Sequence, residues 1–264
     1  MPELAEVDFY RRQWDEGLRE KITQVQLHAE KRIFRGTNPR LLEAVRGQRL
    51  QSSESAGKQM LFRFSGEFWL GIHLGMTGKL SVGPRDYTPQ KHDHLVLFQT
   101  KRALVFNDAR QFGRVLIHQG KELPEWWSSL GTSVTSDAFT QKFMAEFLER
   151  HGRLAIKPAL LLQKGFPGIG NWMADEILWR AELAPRRPAG KLKPAELKRL
   201  WKEVRFVARE ALKKIGKDFG DPPLHWLIHE RWKRDGVCPK HKIPLRKETI
   251  GGRTTAWCPR CQPS

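Results

Sequence analysis

An α+β chain is predicted by three observations. Short strand-like runs separated by turn residues fill the first half, a helical period replaces them from Ser136, and a short basic tail carries every cysteine. The expected organisation is an N-terminal helix with a two-sheet β-sandwich over residues 1–119, a linker over 120–135, an all-α segment over 136–225 and a hairpin tail over 226–264.

The elements follow in order. MPELAEVDFY opens with a proline and two acids, which suits a first helical turn, and the helix is expected to run from residue 1 to about 20. Strand character then recurs at 22–28, 49–64, 68–76, 94–100, 103–108 and 113–118, punctuated by Gly, Pro, Asn and Asp. A short helix is expected in TNPRLLEAVRG (37–47), capped by Thr37 or Asn38. QGKELPEWWSSLGTSVT (119–135) accumulates charge, Pro, Gly and Ser and reads as a linker. Helical spacing follows in SDAFTQKFMAEFLER, which begins with a capping Ser/Asp, and then in AIKPALLLQ, NWMADEILWRAEL and PAELKRLWKEVRFVAREALKKI.

The chain has 264 residues, 39% of them hydrophobic, with 14 Phe and 10 Trp, so it can build real cores and is not globally disordered. Forty-seven Lys and Arg against 29 Asp and Glu give a net charge of +18. That balance favours a polyanion as partner. No apolar run approaches the ~18 residues that span a bilayer. No secretion pattern opens the sequence, so a cytoplasmic, nucleoid-associated protein without membrane contact is expected.

The tail reads Cys238-Pro-Lys-His241, then sixteen residues, then Cys258-Pro-Arg-Cys261. Two ligand pairs separated by a hairpin-sized interval fit one tetrahedral zinc. With Cys238, His241, Cys258 and Cys261 all from the protein, no position stays open, so such a zinc builds structure and does not catalyse. Gly251-Gly252 supplies the hairpin turn, and Arg253 follows it at the tip, where its planar fork of donors suits a phosphate. In the middle, LLLQKGFPGIGNWMADEILW joins two apolar helical runs through Gly165, Gly168 and Gly170. It reads either as a plain connector or as a phosphate site on the helix starting near Asn171.

MPELAEV, AGKQMLF (56–62), HLGMTGKL (73–80), KHDHLVL (91–97), NDARQFG (107–113), IKPALLLQ (156–163), GIGNWMADE (168–176) and GGRTTAWCPRCQ (251–262) together span the chain. In order and spacing they resemble the formamidopyrimidine-DNA glycosylase and endonuclease VIII family of base-excision repair enzymes. The resemblance implies a helix–two-turn–helix element in the middle and a zinc β-hairpin at the end. It implies that Met1 is removed and that the secondary amine of Pro2 attacks the sugar of a damaged nucleotide, with Glu3 as general acid/base and Glu6 in support. Lys58 matches a lysine that binds phosphate beside the lesion and assists catalysis. Asn171, Arg253 and Lys157 match phosphate contacts, and Met76, Arg110 and Phe112 match side chains that fill the hole left by an extruded base.

The implied partner is double-stranded DNA carrying a damaged base or an abasic site, bound by a monomer that excises the base and cleaves the strand by β/δ-elimination. Four departures stand out: Ala5 replaces a second proline, Leu162 replaces a carboxylate or amide, a histidine replaces one cysteine of the metal set, and KDFGDPPL after Gly216 is shorter than the lid loop of the oxoguanine-specific branch. Standard 8-oxoguanine specificity is therefore not expected. The competing readings are a catalytically silent protein of the same fold that binds damaged DNA, and a basic zinc-ribbon protein that binds RNA or ribosomes.

Overall fold

The computed structural model describes residues 1–28 and 30–263. The chain divides into two compact units, Met1–Leu130 and Gly131–Ser264.

The first unit opens with α1 (Leu4–Gln13), for which Glu3 is the extended N-cap in a capping box with Glu6. The helix stops at Gln13, short of the expected residue 20. The chain tightens there into a 3₁₀ turn, Trp14–Gly17, and Arg19 then takes a left-handed φ of 68°. Eight strands follow: β1 (Gln24–Leu27), β2 (Leu50–Ala56), β3 (Gln59–Phe64), β4 (Phe68–His73), β5 (Lys79–Pro84), β6 (Asp93–Phe98), β7 (Arg102–Asn107) and β8 (Arg114–Gln119). They form two antiparallel sheets with the orders β1-β6-β7-β5 and β2-β3-β4-β8. The expected run 49–64 is thus a hairpin broken at Gly57-Lys58, and β5 is a strand that the reading of the sequence lacked. The short helix α2 (Pro39–Glu43) is capped by Asn38, whose side chain accepts the Arg40 N–H at 3.0 Å.

Alternation explains how the sheets pack. Phe62, Phe64, Leu70 and Ile72 of one sheet share a buried cluster with Leu95, Leu97, Leu104 and Phe106 of the other, and Trp14 caps it. Val96, Ala103 and Val105 point to the opposite face and are buried there against Tyr87 and Phe98. The segment expected as linker holds a turn of helix, α3 (Glu125–Ser128). Its Trp126 lies so close over Gly71 of β4 that an added Cβ would sit 2.4 Å from the ring.

The second unit contains α4 (Gln141–Arg150), α5 (Ile156–Leu160), α6 (Asn171–Arg180), α7 (Pro194–Asp218), α8 (Ile228–Arg231) and the hairpin β9 (Arg246–Ile250) and β10 (Arg253–Trp257). Thr140, rather than Ser136 or Asp137, caps α4 by accepting the Phe143 N–H at 3.1 Å. The hairpin does not form a separate body. Trp179 of α6 shares one buried cluster with Leu227, Cys238, Leu245, Ala256, Cys258 and Cys261. No described helix is long and apolar enough to cross a membrane.

Glu176, on α6, is fully buried, and Ile228 N–H donates to it at 3.3 Å. Burial pushes its carboxyl from 4.5 up to about 8, against the opposing pull of Arg180. The folded state therefore holds a proton that the unfolded chain has released. This contribution to stability is complete below pH 4.5 and is lost as pH rises through about 8. We expect Glu176→Gln to melt higher than the parent at the alkaline end of that window and to flatten the dependence of Tm on pH across it. An unchanged pH profile would refute the assignment.

Candidate functional site

In the first unit the N-terminal turn presents a half-buried Pro2 beside a Glu3 that is only 3% exposed. Glu6 Oε2 accepts the Glu3 N–H at 3.1 Å, which fixes the backbone of the acid next to the proline.

Lys58 is buried in the β2–β3 turn, and the next residue, Gln59, pairs in register with His73 of β4. The His73 imidazole is held below its usual range by burial, then by the charges of Lys58 and Arg35. Its Nδ1 accepts the Gly75 N–H at 3.0 Å, so the neutral ring carries its proton on Nε2. Two groups able to hold an anion thus share this end of the sheet. His73 opens HLGMTGKL, but no spacing or composition signal in the sequence marks it as a site residue.

The two loops that carry Met76, Arg110 and Phe112 are tied together by a buried acid. Asp108 accepts Thr77 Oγ1–H at 2.7 Å, Gly113 N–H at 2.7 Å and Arg110 N–H at 3.3 Å, which ties the β4–β5 loop to the β7–β8 loop. Gly75, at φ 62°, lies where a Cβ would stand 2.4 Å from the Phe112 backbone, so only glycine allows this approach. Phe112 remains 42% exposed with the Arg110 guanidinium 4.9 Å over its ring, and Met76 is half-buried. An exposed apolar wedge flanked by a cation is not core packing.

In the second unit, Gln163 braces the glycine turn. Its Oε1 accepts Gly168 N–H at 3.0 Å, and its Nε2 donates to Ile169 O at 2.9 Å. Gly170 is the N-cap of α6 and Asn171 its first residue. Asn171, Asp175 and Trp179 then recur every four residues on one face of the helix, and each reaches the tail. Asn171 Nδ2 donates to Thr254 O at 2.9 Å, Asp175 Oδ2 accepts Ala256 N–H at 3.1 Å, and Trp179 Nε1 donates to Cys238 Sγ at 3.4 Å.

Asp175 is the centre of this ladder. Lys157 Nζ meets its Oδ1, and Arg231 donates to Oδ2 from Nη2 at 2.7 Å and Nε at 3.1 Å. All three side chains are buried. Lys157 also donates to Thr254 O at 3.0 Å. The side chain is fully buried, and its charge is engaged by Asp175 and the hairpin backbone, so it acts on neighbouring residues and does not reach solvent. Arg253, one residue from Thr254, is exposed. The preceding turn, Gly251 at φ 57° and Gly252 at φ 73°, rests on Pro158 of α5, where a Cβ on Gly251 would stand 2.5 Å from the ring.

The cysteines form no disulfide. One ligand atom from each of Cys238, His241, Cys258 and Cys261 lies within 4.8 Å of every other. Cys238 Sγ and Cys261 Sγ are 3.6 Å apart, close to the ~3.8 Å edge of a tetrahedron with metal–sulfur bonds of about 2.3 Å. His241 Nδ1 faces all three sulfurs at 3.2–3.9 Å. Burial and then the neighbouring thiols push Cys261 up to about 12. Burial also opposes charge at Cys238, but the Trp179 indole and backbone donors at His241 and Lys240 outweigh it and bring that thiol below its usual value. Three converging sulfurs and an imidazole nitrogen at these separations fit a four-coordinate metal.

A two-sheet sandwich, a glycine turn opening a helix and a hairpin with a metal-ligating group define a protein of the helix–two-turn–helix class. Two family models match. Formamidopyrimidine-DNA glycosylase N-terminal domain covers residues 1–115, and Formamidopyrimidine-DNA glycosylase H2TH domain covers residues 130–220. The chain is 35% identical to the formamidopyrimidine-DNA glycosylase of Laribacter hongkongensis over 99% of its length and 100% of the relative's. It is 32% identical to that of Pelotomaculum thermopropionicum over 99% of each. Similar solved structures include Lactococcus lactis Fpg in complex with DNA containing an abasic site (TM-score 0.89, 26% identity, 99% of this chain and 100% of that one). Another is the wild-type L. lactis protein in complex with DNA containing an oxidised pyrimidine (TM-score 0.89, 27% identity, 100% of both). The chain belongs to the formamidopyrimidine-DNA glycosylase family.

Truncating Asp175 leaves two buried cations facing each other. We expect Asp175→Ala to cost roughly 3–5 kcal/mol in chemical denaturation. A loss under about 1 kcal/mol, the range of exposed pairs, would contradict the buried network.

Proposed function

We propose that this protein excises a damaged base from double-stranded DNA and then cleaves the strand, with the Pro2 amine as nucleophile. The observation that carries the reading is the buried Glu3 beside the half-buried Pro2 at the head of α1, in a chain of this family. Once Met1 is removed, Pro2 has a free secondary amine. An α-amino group has a reference pKa of ~8, so a useful neutral fraction exists near physiological pH.

The nitrogen lone pair attacks C1′ of the damaged nucleotide, and the bond from C1′ to the base breaks. The base leaves with the electron pair and takes up the proton that the Pro2 nitrogen sheds on bonding to C1′, which restores a lone pair on that nitrogen. Glu3 delivers a proton to O4′ as the sugar ring opens, and the nitrogen lone pair completes the C1′=N⁺ iminium. That cation makes the C2′ proton acidic. Its removal drives loss of the 3′ phosphate, a second elimination expels the 5′ phosphate, and water then hydrolyses the iminium, releasing the sugar remnant as an aldehyde and regenerating the amine.

The remaining roles are part of the same proposal. Lys58 and His73 in one unit, and Asn171 and Arg253 in the other, bind backbone phosphates and allow the nucleotide to rotate out of the duplex. Met76 and Phe112 fill the vacated stack, and Arg110 addresses the orphaned partner base. Cys238, His241, Cys258 and Cys261 hold one structural zinc, which supplies folding energy and no chemistry. The short connection from Phe219 to Leu227 between α7 and α8 supports oxidised pyrimidines or ring-opened purines, rather than 8-oxoguanine, as substrates. We assign the active form as a monomer acting on nucleoid DNA in the cytoplasm.

Borohydride reduction tests the nucleophile, because it converts an iminium into a stable adduct. On duplexes carrying an abasic site, oxidised purines or oxidised pyrimidines, the wild type is expected to give a trapped band that Pro2→Gly loses or sharply weakens. No band on any duplex, with Met1 shown absent by mass, would leave a silent damage-binding protein. The charge of +18 carries a further expectation. If about six phosphates are neutralised, duplex affinity falls roughly 10³-fold between low and moderate salt. A flat salt curve would contradict the backbone grip.

A further inference from the structure

Trp179 takes no part in the chemistry above, yet it occupies the third rung of the ladder on α6. Its indole Nε1–H donates to Cys238 Sγ at 3.4 Å, and both residues are buried, at 2% and 0% exposure. Lys240, in the turn between Cys238 and His241, places its Nζ 4.9 Å over the centre of the Trp179 ring. The indole is therefore held from one side by the helix and from the other by the ligand-bearing turn.

We propose that Trp179 is an outer-sphere hydrogen-bond donor to the metal-bound thiolate of Cys238, and that it sets how tightly the hairpin retains its metal. The inference rests on reading the Cys3His group as a metal centre. An N–H donor in a dry setting fixes the sulfur in place and withdraws density from it, which slows the ligand displacement that begins metal release. Because Trp179 shares a face of α6 with Asn171, the same helix links the metal to the proposed phosphate grip.

The test compares wild type, Trp179→Phe and Trp226→Phe as full-length chains. Trp226 is a matched control: it is buried in the same unit, and its Nε1 has no hydrogen-bond partner among the described residues. With cobalt(II) in the site, Trp179→Phe is expected to move the thiolate-to-metal charge-transfer band to lower energy. With zinc, it is expected to release the ion to an excess of chelator about 10-fold faster, the scale of outer-shell effects. Trp226→Phe is expected to match wild type in both. Equal behaviour of all three proteins, or an equal effect of the two variants, overturns the proposal while leaving the metal centre standing. Absence of any charge-transfer band in the cobalt-treated wild type overturns the metal centre and the proposal together. In cadmium-loaded wild type, heteronuclear NMR should detect coupling from the metal to the Trp179 indole proton through the sulfur. This reading does not require a variant to fold, and absence of that coupling also counts against the bond.

Discussion

The carboxylate of Asp175 holds the second unit in its working form. It joins three pieces of chain that are far apart in sequence: Lys157 from α5, Arg231 from α8 and the backbone of β10 at Ala256. Buried ion pairs seldom add much net stability, because desolvation offsets their attraction. What they impose is an arrangement, since any displacement leaves a charge uncompensated in a medium that cannot screen it. Two cations against one anion leave a net positive charge in the interior. The carbonyl of Thr254 helps offset it by accepting from Lys157, Asn171 and Arg231. A small hairpin with little core of its own is thereby fixed to a helix at three successive turns.

The first unit uses the same device on a smaller scale. Asp108 is fully buried and binds donors from two loops, and the side chains proposed to enter the duplex project from those loops. In both units a hidden carboxylate holds backbone in place and exposed neighbours carry the proposed contacts: Arg253 beside Thr254, and Arg110 and Phe112 beside Asp108. Close glycine contacts at Gly75 and Gly251 bring the loops near enough for these bonds. Groups that must meet a flexible polyanion then pay little conformational entropy on binding.

Much of this was legible in the sequence, and the exceptions have physical causes. The sandwich, the helical middle and the hairpin were readable because periodicity and turn residues are local signals. So was the Cys3His group, because metal ligands must recur at short spacing. The end of α1 and the β5 strand were not, because propensity at element ends is weak and KLSVGP ends in residues that usually break strands. The burial of Lys157 was not legible for a different reason. A lysine near a phosphate motif reads as a contact until its depth is known, and depth depends on Asp175, eighteen residues away. His73 and Asp108 lay inside recognised motifs, but Lys58 beside His73 comes from the β2–β3 turn and Thr77 on Asp108 from the β4–β5 loop, and only the fold brings them together.

The most direct test of this account is a double-mutant cycle between Asp175 and Arg253, read as affinity for a duplex containing a stable abasic-site analogue. Asp175→Asn, Arg253→Ala and the double variant are compared at one salt concentration. If the buried carboxylate works by holding the hairpin tip in register, Asp175→Asn weakens binding although it touches no DNA. The double variant then loses less than the sum of the singles. Strict additivity, or full affinity in Asp175→Asn, would show that the buried network and the proposed phosphate grip are independent.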